Sequence, residues 1–173
     1  MALLHSNWKP QCAMERIILH WTAGGYNASA LDKEHYHILI QGDGTLVRGD
    51  HSIDDNVSTG DDDYAAHTLR LNAKSIGISV CCMANAQESP FRPGPFPMKK
   101  TQWQTMAAVA AELADFYGIP VTKQTILGHG EVQRILGVQQ RGKWDPMVLP
   151  WDTSITKARA GDLFRAEVAR LMP

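Results

Sequence analysis

Residues 16–25 read RIILHWTAGG, an apolar run that ends on His20 and breaks at Ala23, Gly24 and Gly25. A short apolar run bounded by a turn signal predicts a buried strand, here over residues 16–20. Two further runs follow the same plan: SIGISVCC at 75–82 and TILGH at 125–129, the second again ending on a histidine, His129. SIGISVCC lacks polar alternation, which predicts a mid-sheet strand covered on both faces. YHILIQ at 36–41, GDG at 42–44 and TLVRG at 45–49 predict a hairpin.

Helical signals alternate with these strands. Residues 28–35 predict a short helix. Thr101 is a candidate cap for a helix running to about Tyr117, stopped by Gly118 and Pro120. Trp103, Met106, Ala110, Leu113, Ala114 and Tyr117 recur every three or four residues along it and mark its core face. EVQRIL at 131–136 predicts a helical turn or two. Residues 154–172 predict a terminal amphipathic helix, expected to pack rather than to engage a membrane or partner. ESPFRPGPFPM at 88–98 is a proline-rich loop. The fold class that follows is α/β: a single domain over 1–173 with a central mixed β-sheet flanked by helices.

Composition narrows the function. Lys+Arg 17 against Asp+Glu 18 leaves no basic field for nucleic acid or an anionic membrane. No apolar run approaches the roughly 20 residues of a transmembrane span. MALLHSNWKPQCAMER lacks the parts of a secretory signal, so synthesis in the cytoplasm without a signal peptide is expected. Cys12, Cys81 and Cys82 offer no CxxC pair and read as free structural thiols. The segment 50–66, with Asp54, Asp55, Asp61, Asp62 and Asp63, does not follow EF-hand spacing and reads as a solvated loop.

His20 and His129 stand at predicted strand ends, where α/β proteins place their ligand-binding residues. If the two strands are parallel neighbours, Asp145 can return from the following loop to complete a two-histidine, one-carboxylate set, the pattern of a catalytic zinc site. The alternative is that each histidine is simply hydrogen-bonded at its strand end. His35 and His37, two apart, form a competing metal pair.

IILHWTAGG, YHILIQGDGTLVRG, AAHTLRLNAKSIGISV, ILGHGEVQ and GKWDP occur in this order over about residues 16–146. Together they resemble the zinc-dependent N-acetylmuramoyl-L-alanine amidases, which share a fold with phage T7 lysozyme and the peptidoglycan recognition proteins. Residues 147–173 then form a C-terminal extension with a helix. The resemblance implies Zn2+ held by His20, His129 and Asp145. It implies Lys143 directed at the scissile carbonyl, and Tyr36 near the reacting water. His67 and Asn72 match positions that line the substrate groove, with the loops 50–66 and 88–98 as candidate walls. The implied partner is bacterial peptidoglycan, and a monomer is expected.

Three departures stand out. The interval from His129 to Asp145 is 145 − 129 = 16 residues, long for the family, so an insertion falls within 131–142. Met147 replaces the glycine that commonly follows Asp-Pro. Ser79 and Cys81 occupy the strand where cytosolic recycling amidases carry a glutamate, which points to the tyrosine-using phage type. The expected function is hydrolysis of the bond between N-acetylmuramic acid and L-alanine by a bacteriolytic, hence antimicrobial, enzyme of the endolysin type. A recycling amidase acting on soluble anhydro-muropeptides, or a non-catalytic peptidoglycan binder of the same fold, are the alternatives. A zinc protease is disfavoured because HExxH is absent.

Overall fold

Ile17, Ile18 and Leu19 are fully buried, and the strand they build, β1 (Arg16–Trp21), is an inner strand of a five-stranded sheet. The computed structural model describes residues 2–173. In chain order the remaining elements are α1 (Ala30–His35), β2 (Ile38–Ile40), β3 (Leu46–Arg48), β4 (Ser75–Val80), α2 (Lys100–Tyr117), β5 (Ile126–Gly128), α3 (His129–Leu136) and α4 (Lys157–Leu171), with 3-10 turns at Ser6–Trp8 and Ile53–Val57. The strand order is β3-β2-β4-β1-β5. β1 runs parallel to both β4 and β5, β2 runs parallel to β4, and the β2–β3 hairpin supplies the antiparallel edge. The expected mixed α/β sheet is present.

The two faces of the sheet differ in kind. Ile17, Leu19, Ile38, Ile40, Ile76, Ile78, Val80 and Ile126 join the main core with Trp103, Met106, Leu113 and Phe164 of α2 and α4. On the other face, β4 presents Ser75, Gly77 and Ser79, which alternate with its isoleucines and valine. β4 is the middle strand of the five and is buried along its whole length, as its lack of polar alternation predicts; the residues between its branched ones are small. A Cβ on Gly77 would stand 2.6 Å from the His67 ring, so only glycine lets that imidazole lie on the sheet.

Several predicted boundaries shift. Tyr36 caps the C-terminus of α1 rather than opening β2. Ser29 caps α1 in a reciprocal box with Asp32. The α2 N-cap is Lys99, not Thr101: the Gln102 side chain accepts the Lys99 N–H at 3.1 Å. Gly118, with φ 65°, ends α2 in the left-handed conformation that glycine allows. His129 opens α3 one residue past β5, instead of ending the strand.

The terminal helix is a packing element. Phe164 and Val168 enter the core, and α4 lies against α2, α3 and β5. Arg165 reaches Glu131 with both terminal nitrogens, at 2.9 and 3.1 Å, and also donates to the Ile126 carbonyl at 3.0 Å. Glu131 in turn accepts the Gly128 N–H at 3.0 Å. The pair is buried and holds the first turn of α3 in place. Removing one partner of such a pair strands the other charge, at a cost of about 3–5 kcal/mol. Arg165→Met is therefore expected to lower unfolding stability by that amount, read from the denaturant midpoint, and a change under about 1 kcal/mol would contradict the brace.

Candidate metal centre

The parallel pairing of β1 with β5 brings the end of β5 beside that of β1, and so sets His20 against His129. Their ring centroids are 4.7 Å apart. Asp145 arrives on the loop after α3, held by the Gly130 N–H to its carbonyl at 2.7 Å. Gly130 is required there, because a Cβ would meet the Trp144 backbone at 2.8 Å. Asp145 Oδ2 lies 3.2 Å from His20 Nδ1 and 3.4 Å from His129 Nδ1. All three side chains are buried, and one ligand atom from each lies within 4.8 Å of the others. The intervals that separate them in sequence close in space.

Which atoms carry protons follows from two backbone carbonyls. The Gln140 amide donates Nε2–H to the Leu69 carbonyl at 3.0 Å, which turns its Oε1 toward His129 Nε2 at 2.8 Å. His129 Nε2 must then be the N–H, and Nδ1 the lone pair. His67 donates Nε2–H to the Ser75 carbonyl at 3.2 Å, so its Nδ1 accepts. That Nδ1 meets the Thr68 hydroxyl at 2.8 Å and His20 Nε2 at 3.2 Å; with His20 Nε2 as the donor to this acceptor, His20 Nδ1 is again the lone pair. Two imidazole lone pairs therefore face a carboxylate oxygen. Acceptors converging in a buried site call for a cation between them, and a nitrogen–nitrogen–oxygen set suits Zn2+.

The electrostatics agree. Burial pushes His20 down to about 4, so the ring is neutral near pH 7. Burial likewise holds His67 well below its usual value. The Tyr36 ring lies 5.0 Å from that of His20. Burial and then the Asp145 charge push its phenol far up, so Tyr36 stays a protonated donor. Ser79, paired in register with His20, has the only buried side-chain oxygen or nitrogen without a partner among the described residues.

An open cleft of about 910 Å³ leads to this centre, lined by Tyr36, His67, Asn72, His129, Lys143 and Asp145 among others. All seven residues expected at the site thus gather at one place, six of them lining the cleft and His20 buried behind them. His67 spends both ring nitrogens inside the protein, on His20 with Thr68 and on Ser75. Asn72 accepts the Thr68 N–H at 2.7 Å. Thr59 and Tyr64 bring the 50–66 segment to the cleft, whereas no residue of 88–98 lines it. That loop supports the site indirectly, Phe91 packing edge-on to Trp144. Arg70, Arg141 and Lys143 make the rim cationic, with no ion-pair partner among the described residues. Met147 fills the core beneath Gly128, where a Cβ would stand 2.2 Å from its Cε.

The competing His35–His37 pair does not form. His35 bonds the Leu31 carbonyl, while His37 donates Nε2–H to Asn56 Oδ1 at 2.9 Å and accepts the Gly77 N–H at 3.0 Å. His51, Asp55 and Asp63 make a second, more exposed cluster in the acidic loop. Gln140 and Ser79 escaped sequence reading as site residues. The small-residue alternation of β4 was the available signal for Ser79; for Gln140, one of two adjacent glutamines in a loop, there was none.

The sequence profile of a family described as N-acetylmuramoyl-L-alanine amidase matches residues 10–147. No curated protein sequence matches the chain. Among solved structures, the amidase LysC from Clostridium intestinale is similar at 16% identity and TM-score 0.52, covering 96% of this chain and 95% of its own. The Ph2119 endolysin from a Thermus scotoductus bacteriophage is similar at 16% identity and TM-score 0.51, with 88% of each chain covered. AmpD is similar at 18% identity and TM-score 0.51, covering 93% of this chain and 86% of its own.

Burial also pushes His37 down to about 4. An unfolded histidine titrates near 6.5, so between about 6.5 and 4 the unfolded chain binds protons that folded His20 and His37 refuse. Stability accordingly rises with pH across that window and falls on acidification, by about 1.4 kcal/mol per pH unit for each such histidine. Denaturant midpoints of metal-free protein at pH 7, 5.5 and 4.5 are expected to fall in that order; a flat series would contradict neutral buried imidazoles.

Proposed function

The chain belongs to the N-acetylmuramoyl-L-alanine amidase family and is an amidase of peptidoglycan; we propose that it works as a zinc enzyme, with His20, His129 and Asp145 as the ligands. The observation that carries this reading is the meeting of two lone-pair nitrogens and a carboxylate at the foot of the cleft. Zinc bound there supplies a Lewis acid and lowers the pKa of its water to about 7.

The protein's own side chains supply the rest. Lys143, two residues before Asp145, lines the cleft, and in this reading its ammonium meets the oxyanion that forms as the amide carbonyl becomes tetrahedral. Tyr36, kept protonated beside His20, holds an Oη–H for the attacking water or for the departing alanine nitrogen. The neutral relay His20–His67–Ser75 keeps its proton away from the site. Arg70 and Arg141 give the rim positive charge, which suits the free carboxylates of a peptide stem.

Within the family, an endolysin-type role on the intact wall is supported by Tyr36 at the centre and by Ser79 where recycling enzymes carry an acid. Two structural relatives of this fold, LysC and the Ph2119 protein, are by name an N-acetylmuramoyl-L-alanine amidase and an endolysin. No helix among the described residues is long and apolar enough to cross a membrane. Turnover on intact sacculi is expected to exceed turnover on soluble anhydro-muropeptides, and the reverse preference would defeat the endolysin role.

Two variants separate ligand from oxyanion partner. Asp145→Ala is expected to lose both zinc, by metal analysis, and stem-peptide release from sacculi. Lys143→Met is expected to keep its zinc while kcat drops about 100-fold or more. Zinc retained in full by Asp145→Ala would sink the proposed ligand set.

A further inference from the structure

The 16-residue interval between His129 and Asp145 contains one residue whose contacts are entirely internal to the site. Gln140 is buried, although it lies in a loop between α3 and the exposed Arg141, Gly142 and Lys143. Each of its polar groups is committed. Oε1 accepts His129 Nε2–H at 2.8 Å, Nε2–H donates to the Leu69 carbonyl at 3.0 Å, and its backbone N–H donates to Gln133 Oε1 at 3.0 Å. Its own carbonyl accepts the Lys143 N–H at 3.3 Å. Its side chain thereby joins α3 to the cleft wall at Leu69, and its backbone carbonyl joins both to the loop that carries Lys143 and Asp145.

We propose that Gln140 is a positioning residue for the metal centre: it fixes the His129 tautomer and ring direction so that Nδ1 is presented to zinc, and it ties this ligand to the groove wall at Leu69. The inference rests on the zinc reading above. It gives a physical purpose to the long interval, since a residue eleven places after His129 can return to its ring only if the chain between turns back, which Gly137 with φ 71° permits. His20 is held by a different device, the neutral His67 ring, so the two imidazole ligands are oriented independently. Gln140 touches no reacting atom in this scheme, and its effect passes through His129.

Outer hydrogen-bond partners of a ligating histidine typically carry 10–100-fold in metal affinity. Gln140→Leu keeps approximate volume and removes the acceptor. Gln140→Glu keeps an acceptor for Nε2–H, adds charge, and loses the amide donor to Leu69. Zinc affinity is measured by competition with a chromophoric chelator at pH 7, beside the unfolding midpoint of each metal-free protein. Gln140→Leu is expected to bind zinc about 10–100-fold more weakly than the wild type, and Gln140→Glu to stay within about threefold of it or bind more tightly. A Gln140→Leu affinity within about twofold of wild type would overturn the proposal. So would equal losses in both variants, which would make the residue a packing element only. Wild-type protein that takes up no zinc would instead overturn the metal reading itself, and this inference with it.

Discussion

Two backbone carbonyls, those of Ser75 and Leu69, govern the chemistry of this protein. A carbonyl can only accept, so the His67 ring and the Gln140 amide that meet them must donate, and the opposite ends of both groups must accept. That choice passes outward to His20 and His129 and leaves both Nδ1 atoms as lone pairs facing Asp145. With the protons on the other nitrogens, the triad would be a hydrogen-bonded cluster. With the protons as they are, it is a group of acceptors able to hold a metal ion.

The demands of this arrangement reach into the sheet. The His67 ring lies where any Cβ on Gly77 would be, so β4 must be small along one face while remaining branched and apolar along the other. The main core therefore forms on one side only, between the sheet and the α2–α4 pair, and the other side is released for imidazoles and the cleft. His129 depends on a further constraint. It begins α3, whose first turn is held by Glu131 against Arg165 of α4, so the last helix of the chain braces the turn that carries this imidazole. Gly128 and Gly130 flank that histidine because Met147 and Trp144 approach too closely for a side chain.

Much of this was legible before the coordinates. The apolar runs around Ile17–Leu19, Ile76–Val80 and Ile126–Leu127 declare strands, because burial of both faces is written in consecutive residues. The Gly118 stop and the α2 core stripe were visible for the same local reason. The start of α2 was not: Thr101 has the usual capping side chain, but the bond that the Lys99 N–H donates to the Gln102 side chain moves the boundary back. His129 was assigned to a strand because sequence cannot mark where a parallel strand stops and the next helix starts. The 88–98 loop was expected at the groove; instead it reinforces Trp144 from behind.

Sequence by itself determined the fold class, the family and the identity of the three side chains that meet, since ordered motifs and apolar periodicity survive in one dimension. Only the tertiary structure decided which nitrogen of each histidine is free to bind. That property belongs to partners far along the chain, His67 lying 47 residues from His20 and Leu69 lying 71 from Gln140. A proton's position is set by the nearest carbonyl in space, and no local pattern of residues encodes which carbonyl that will be.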